Sequence, residues 1–321
     1  MENCNAELYD FEPRASSVLR EVLAGLSQNP KTLSPKFLYD KRGSEIFEEI
    51  CKLEEYYPTR AEEEILKDYA SEISSLISED ALIIEPGSGS GEKIRFLIPH
   101  LKKPTGYVPV EISKSILLRM TEELHQQFPE LNVHPVCMDF TKDFDIPDAL
   151  KSAKHKVVFF PGSTIGNFTP EESMSLLRGF GRVLTKGDGL LIGVDLKKDA
   201  EILEHAYDDR EGVTAGFNLN LLNRLNREIS AEFNICNFQH QARYNKELGR
   251  VEMHLVSKLS QIVRVHETIF RFQEGETIHT ENSYKYSENE FITLAGRARY
   301  KFRQLWKNRK KQFCVYYFEK D

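Results

Sequence analysis

The chain has 321 residues, 40% of them hydrophobic, which is enough apolar material for one large domain or two closely packed ones. Its formal net charge of −7 gives no general attraction to nucleic acid or to anionic membranes, so neither is an expected partner. The five cysteines form no CxxC pair and the nine histidines include no HExxH motif, so we expect reduced thiols, from Cys4 to Cys314, and no metal site.

The N-terminal stretch, MENCNAELYDFEPR, is polar and acidic. This is not the pattern of a secretory signal peptide, and no apolar run of the chain is long enough to span a membrane. We therefore expect a cytoplasmic protein, and we expect it to be a monomer.

The first part of the chain is predicted to be helical. Apolar residues recur with a helical period from Arg14 to Leu26, a second helix is expected from Glu45 with Ser44 as its cap, and a third from Thr59 to about Leu76. Tyrosines lie close to the ends of the last two helices, where packing with a hydrogen-bonded hydroxyl is their most common role.

The stretch Ala81–Leu97, ALIIEPGSGSGEKIRFL, predicts a strand, a glycine turn and a helix. Four apolar residues form a short buried strand, Glu85 ends it, three alternating glycines begin at Gly87, and a helix is expected to open at Glu92. Glycines let the backbone turn tightly and approach a ligand at the carboxyl end of a strand. The glycine spacing is that of neither a dinucleotide site nor a phosphate loop, which disfavours hydride transfer and nucleotide hydrolysis.

Acidic residues follow the next two predicted strands as well. The strand Gly106–Val110 ends in Glu111, about 20 residues after the glycines, where such folds place a carboxylate on ribose hydroxyls. The strand Val133–Met138 ends in Asp139 and Phe140. Three acidic strand ends without a phosphate loop suit an adenosine ligand that has no pyrophosphate, which suggests S-adenosylmethionine.

Two further strands extend this α/β pattern. Lys156–Phe160 runs into PGSTIGNF, so that Asn167 is expected at the carboxyl edge of the sheet, where ligands collect. A helix over Pro170–Leu184 leads to a fifth strand, Gly189–Asp195. Consecutive βα units of this kind predict a parallel sheet with right-handed crossovers.

The alternation of predicted strands and helices then stops for about 90 residues, which predicts an inserted second domain. Lys198–Phe233 is expected to be mostly helical and Phe238–Phe272 to form strands. A helix over Asn289–Arg297 and a hairpin of Tyr300–Trp306 with Gln312–Phe318 are expected to close the first sheet. The predicted boundaries are 62–198 plus 287–321 for the core, and 1–61 plus 199–286 for the second domain.

Several blocks together resemble one enzyme family, the S-adenosylmethionine-dependent, histidine-specific methyltransferases of ergothioneine biosynthesis. These blocks are LSPKFLYDKRGSEIFEEI, EEYYPTRAEEEIL, EPGSGSGEK, YVPVEIS, FPGSTIGNFTPEE, AYDDREGVTAGFNLNLLNRLNRE, EMHLVS and TENS. The resemblance implies a Rossmann-like S-adenosylmethionine methyltransferase core with a second, α+β substrate-binding domain. It also implies transfer of three methyl groups to the α-amine of L-histidine, which gives hercynine, with S-adenosyl-L-homocysteine as the other product.

The resemblance also implies the roles of particular residues. It places S-adenosylmethionine on Gly87, Lys93, Glu111, Asp139 and Phe140, and histidine on Tyr56, Asn167, Tyr207, Met253, Glu281 and Ser283. Asn167 would position the α-amine. The chemistry of the reaction leaves open whether solvent, Tyr39 or another side chain takes the proton of the substrate ammonium. Relatives usually carry aspartate where this chain has Glu111, and ELGSGTSEK where it has EPGSGSGEK; Pro161 is a smaller departure.

Three alternatives stay open at this point. A methyltransferase of the same fold could act on another amino acid such as tryptophan, but an aromatic pocket would have no use for Glu281 and Ser283. A non-catalytic binding protein could keep the cofactor fold, and a third alternative is a methyltransferase acting on protein or nucleic acid. The acidic charge and the inserted domain argue against the third alternative.

Overall fold

The computed structural model describes residues 8–11, 15–142 and 144–321. The predicted helix start at Arg14 and the free thiol at Cys4 lie outside the described residues. The chain divides into two compact units. The first comprises Met1–Glu12, Pro58–Lys197 and Tyr286–Asp321, and the second comprises Pro13–Tyr57 and Lys198–Lys285.

The described strands are numbered here in chain order. They are β1 (Tyr9–Asp10), β2 (Lys31–Thr32), β3 (Ala81–Pro86), β4 (Gly106–Glu111), β5 (Val136–Cys137), β6 (His155–Phe160), β7 (Gly189–Asp195), β8 (Phe238–Asn245), β9 (Arg250–Ser257), β10 (Gln261–Val265), β11 (Thr268–Phe272), β12 (Thr277–Tyr284), β13 (Tyr300–Lys307) and β14 (Phe313–Lys320).

The α-helices are numbered in the same way. They are α1 (Ala15–Leu26), α2 (Lys41–Ile50), α3 (Tyr57–Leu76), α4 (Lys114–Gln127), α5 (Asp148–Lys151), α6 (Pro170–Val183), α7 (Ala200–His205), α8 (Val213–Ile229) and α9 (Glu288–Arg297). Short 3-10 turns occur at Pro35–Leu38, Ile94–Phe96, Ile98–His100, Thr164–Asn167 and Ile235–Asn237.

In its described part, the first unit is built on one sheet in the order β1-β5-β4-β3-β6-β7-β14-β13. The six strands from β1 to β7 in this order pair in parallel, whereas β14 runs antiparallel to both of its neighbours. Every residue of β3 and β7 is buried, as expected for strands of a parallel sheet covered on both faces. The predicted parallel α/β core and its closing hairpin are confirmed.

The second unit is an α+β structure with a smaller sheet. Strands β2, β12, β9 and β8 pair in that order, parallel between β2 and β12 and antiparallel elsewhere. Strands β10 and β11 form a separate antiparallel hairpin. Helix α8 buries Phe217, Leu221 and Leu225, which recur with a helical period.

Two predictions about helix starts are wrong. No α-helix opens at Glu92, because Pro99 disfavours the helical conformation of the residue before it and the segment forms two 3-10 turns instead. Helix α2 begins at Lys41, before the predicted start, and its cap is Asp40, whose carboxylate accepts a hydrogen bond from Gly43 N at 2.7 Å.

Two boundaries also differ from the predictions. The predicted strand Val133–Met138 is reduced to Val136–Cys137, because Pro135 has no N–H to give to the ladder. The predicted second domain contains residues 1–61, whereas β1 pairs with β5 in the sheet of the first unit and the first unit resumes at Pro58.

Candidate functional site

The glycine turn after β3 in the first unit has the conformation that its sequence requires. Gly87 has a φ of +70°, and its N–H donates to Val110 O at 2.7 Å, which holds the turn against the end of β4. A Cβ added at Gly87 would lie 3.1 Å from the ring of Phe140. The left-handed φ and this close approach both favour glycine here, so the structure brings Gly87 and Phe140 together.

Glu111, the last residue of β4, is hydrogen-bonded to the same glycine turn. Its carboxylate accepts hydrogen bonds from Gly89 N at 3.1 Å, Ile112 N at 2.8 Å and Ser113 N at 3.1 Å. Burial raises the pKa of this carboxyl, while the three N–H donors act in the opposite direction. The predicted ribose-binding carboxylate is therefore tied to the glycine turn by its own hydrogen bonds.

Asp139 and Phe140 follow β5. Asp139 is buried, and its carboxylate accepts hydrogen bonds from the backbone N–H and the hydroxyl of Thr141. The ring of Phe140 packs edge-on against Phe160 of β6, with ring centroids 5.7 Å apart. These contacts orient the aspartate and the aromatic ring that the sequence predicted to lie at the cofactor site.

Lys93 is paired with a residue that the sequence analysis missed. Its Nζ lies 2.5 Å from Glu62 Oε2, and Glu62, on α3, has an exposed fraction of 0%. The same carboxylate accepts hydrogen bonds from Gly162 N at 2.8 and 3.0 Å. Glu62 stands in the acidic run EEE, but it shares the buried face of α3 with Ile65 and could have been found by its helical spacing.

Asn167 ends the 3-10 turn that follows β6. Ser163, before this turn, has a left-handed backbone with φ of 54°, and its hydroxyl accepts a hydrogen bond from Asp195 N at 2.9 Å. The turn and its half-buried asparagine are thus held to the end of β7. Asn167 belongs to the first unit, whereas the other predicted histidine-binding residues belong to the second.

In the second unit, strand β12 presents a buried polar face. Glu281 and Ser283 of β12 and Lys285, the first residue after the strand, alternate along the chain and are 7%, 4% and 2% exposed, respectively. Met253 of β9 lies opposite Glu281 in the strand register and is buried as well. The structure therefore brings together three of the predicted residues, and it adds Lys285, which the sequence analysis missed.

Burial raises the pKa of Glu281 to about 8, against the opposing effects of the Lys285 charge and a hydrogen bond from Tyr39. At neutral pH, Glu281 is therefore mainly a protonated carboxyl group. In this state it can donate a hydrogen bond as well as accept one. A group of this kind suits a partner that itself gains or loses a proton near neutral pH.

Tyr207 and Tyr56 form an aromatic wall beside this polar face. The hydroxyl of Tyr207 lies 2.7 Å from Ser283 Oγ, and its ring packs edge-on against Tyr56 with centroids 6.0 Å apart. Tyr56 packs in turn against Phe47, and Phe47 against Tyr39. The second unit thus gathers Tyr39, Tyr56 and Tyr207 with the buried residues of β12.

The parallel α/β sheet, its glycine turn and the carboxylates at its strand ends define the class of S-adenosylmethionine-dependent methyltransferases. The sequence model of the family described as "Histidine-specific methyltransferase, SAM-dependent" matches residues 18–320, and the chain belongs to that family. None of the described helices is both long and apolar enough to cross a membrane.

Three known proteins illustrate the similarity. The chain is 41% identical to histidine N-alpha-methyltransferase of Mycobacterium tuberculosis over 83% of this chain and 84% of that protein. It is 30% identical to ergothioneine biosynthesis protein 1 of Neurospora crassa, over 92% of this chain and 34% of that protein. The solved structure of mitomycin 7-O-methyltransferase has a TM-score of 0.50 at 12% identity, covering 96% and 68% of the two chains, which shows the fold alone.

Proposed function

We propose that the protein transfers three methyl groups in succession from S-adenosylmethionine to the α-amine of L-histidine, giving hercynine for ergothioneine biosynthesis. The family supports the cofactor and the substrate, and the names of the two sequence relatives support the pathway. The observation that carries the proposal is the buried Glu281 with Ser283 on one face of β12, beside the hydroxyl of Tyr207.

The residues of the glycine turn fit S-adenosylmethionine. A Cβ added at Gly89 would meet no described atom within 4 Å, so there is open space beside the turn. A carboxylate has about four lone-pair sites. Three backbone N–H groups donate to the carboxylate of Glu111, so about one site is left for a ribose hydroxyl. Gly87, Lys93, Glu111, Asp139 and Phe140 would hold the cofactor.

The residues of the chain have a positioning role in this chemistry. When bound, S-adenosylmethionine supplies an electrophilic methyl carbon on a sulfonium. The protein then has to hold a neutral amine in line with that carbon and exclude water. Asn167 can hydrogen bond to the α-amine and the carboxylate of the substrate, and the aromatic faces of Tyr56 and Tyr207 suit the growing ammonium.

The anchors of the substrate have to survive three methylations. Each methyl group removes an N–H donor from the amine, so contacts to that nitrogen weaken as the reaction proceeds. Hydroxyl contacts to the α-carboxylate do not change, and Tyr56 and Tyr207 can provide them. These hydroxyls are therefore the proposed anchors for all three steps.

Glu281 and Ser283 are proposed to recognise the imidazole. A protonated carboxyl can donate to one ring nitrogen, an ionised one can accept from a ring N–H, and the serine hydroxyl can serve the other nitrogen. Tyr39 donates a hydrogen bond to Glu281 and so orients this carboxyl group. A substrate without ring nitrogens would offer this buried carboxyl group no hydrogen-bond partner of its own, which costs on the order of 1–3 kcal/mol.

A panel of amino acids tests the proposed function. The purified protein is incubated with S-adenosylmethionine and each amino acid in turn, and products are followed by mass. We expect three successive methyl additions to histidine and none to tryptophan, whose indole has no ring nitrogen with a free lone pair. Addition to tryptophan instead would contradict the roles of Glu281 and Ser283, and addition to no amino acid would contradict the proposed function as a whole.

A further inference from the structure

Lys285 is a buried cation within hydrogen-bond distance of two proposed substrate-binding hydroxyls. Its Nζ lies 2.8 Å from Ser283 Oγ and 3.1 Å from the hydroxyl oxygen of Tyr207, and the side chain is 2% exposed. The ammonium also lies 4.9 Å from the centroid of the Tyr207 ring, within the range of a cation–π interaction. A lysine side chain is rarely buried to this extent unless its charged group is paired with other groups.

The hydrogen bonds within this cluster have defined directions. An ammonium has three donors and no acceptor, so the oxygens of Tyr207 and Ser283 must both accept from Lys285. The two hydroxyls lie 2.7 Å apart, so one of them donates its hydrogen to the other. The ammonium therefore restricts the directions in which both hydroxyls can point.

We propose that Lys285 is a positioning residue that fixes the directions of the Tyr207 and Ser283 hydroxyls toward an acceptor atom of the amino-acid substrate. The atom can be a carboxylate oxygen or an unprotonated ring nitrogen, which are the two kinds of acceptor that histidine carries. Without the ammonium, both hydroxyls can rotate, and the pair loses its fixed direction. This inference rests on the proposed function and deepens it, because it assigns a residue of the same site.

The charge of Lys285 is consistent with this role. Lys285 opposes the effect of burial on the pKa of Glu281, and it follows directly after the end of β12, two residues after Ser283 and four after Glu281. A buried positive charge next to two hydroxyls strengthens their hydrogen bonds to a negatively charged ligand group. The two hydroxyls of the cluster are therefore suited to an anionic or lone-pair acceptor.

The test is a double-mutant cycle on the kinetics of the full-length enzyme. Lys285→Met is made in the wild type and in a Tyr207→Phe/Ser283→Ala background, because methionine is unbranched and keeps the buried volume. In the wild type, we expect K285M to raise the KM for histidine about 10- to 100-fold, as for loss of a charge-assisted hydrogen bond, with a smaller change in kcat. In the background without hydroxyls, we expect the same substitution to change the KM less than about threefold.

A purely structural role would have different consequences. K285M would then lower the melting temperature and the fraction of active enzyme, but the KM for histidine would stay unchanged. That result, or an increase in KM of the same size in both backgrounds, would overturn the role of Lys285. Lys246→Met, at an exposed position in the turn between β8 and β9, is the matched control and should leave the KM unchanged.

The same experiment separates this inference from the proposed function. Methylation of histidine by the wild-type protein tests the function, whereas the coupling between Lys285 and the two hydroxyls tests the inference. A wild type that methylates histidine while the cycle shows no coupling overturns only the assignment of Lys285. A wild type that does not methylate histidine overturns the proposed function, and the role of Lys285 with it.

Discussion

Glu85 is a buried carboxyl group at the carboxyl end of β3, 1% exposed, and it accepts a hydrogen bond from the hydroxyl of Tyr107 at 2.7 Å. Burial raises its pKa to about 8, while the Tyr107 hydrogen bond and the Lys93 charge oppose this shift. The folded protein therefore keeps a proton that the unfolded chain, with a carboxyl pKa near 4.5, has already lost. Between pH 4.5 and about 8, this difference makes the folded state less stable as the pH rises.

Substitution of Glu85 by glutamine should remove this dependence, because an amide resembles the protonated acid and can still accept from Tyr107. We expect E85Q to gain stability relative to the wild type between pH 5 and 8.5, on the order of a few kcal/mol. Urea unfolding at several pH values measures this difference, and Glu79→Gln, at an exposed position, is the control. Identical pH profiles for E85Q and the wild type would contradict the assignment of a protonated Glu85.

At the level of the elements, much of the first unit could be predicted from the sequence. Buried parallel strands are continuous apolar runs, and β7 was predicted with its observed bounds, Gly189–Asp195. The predictions failed where one residue outweighs the pattern, as Pro99 does after Lys93 and as Asp40 does before α2. Such local competition between caps and breakers is not visible in hydrophobic periodicity.

Helix α3 contributes a buried carboxylate to two loops of the first unit. Glu62 pairs with Lys93 after β3 and accepts from Gly162 N after β6, so one side chain fixes a predicted cofactor residue and the loop that leads to Asn167. A Cβ on Gly193 would lie within 1.9 Å of Glu62 Oε1, which shows how closely the backbone of β7 approaches this carboxylate. The carboxylate therefore connects a helix, two loops and a strand.

Loss of the Glu62 charge should weaken both stability and cofactor binding. Removing one partner of a buried ion pair costs about 3–5 kcal/mol, so we expect E62Q to lower the free energy of unfolding by an amount of this order. We also expect weaker binding of S-adenosylmethionine, because Lys93 would no longer be held in place. Chemical unfolding and calorimetric titration measure the two effects. Glu63→Gln, which affects an exposed pair with Lys67, is the control, and equal effects of the two variants would contradict the role of Glu62.

The whole molecule shows why the residue types of the site were easier to predict than their partners. The alternation of Glu281 and Ser283 in TENS indicates one face of a strand, but only once that stretch is known to belong to β12, and Lys285 lies just beyond the end of the strand. Tyr207 lies 76 residues before Ser283, and no spacing rule predicts that their hydroxyls meet. Contacts between segments this distant depend on the fold of the unit, and sequence patterns describe mainly local structure.

The later of the two segments of the second unit runs from Lys198 to Lys285, and the two residues that flank this segment meet within the first unit. Lys197 N donates to Tyr286 O at 3.0 Å, and Leu196 forms a bridge with Tyr286. Backbone hydrogen bonding within the first unit therefore joins the two points between which this segment is inserted. We expect substitutions of Glu111 in the first unit and of Glu281 in the second to act on different ligands.

Alanine substitutions of two carboxylates test this division of roles. We expect E111A to lose most of the rise in melting temperature that S-adenosylmethionine causes in the wild type, because the stabilisation by a ligand grows with the logarithm of the ratio of its concentration to its Kd and therefore falls when binding weakens. E281A should keep that rise and lose methylation of histidine, since Glu281 belongs to the second unit and is proposed to read the imidazole. Thermal unfolding with and without the cofactor, together with the mass assay, measures both effects. An equal loss of the cofactor-induced rise in the two variants would contradict separate roles, because it would mean that Glu281 acts on cofactor binding.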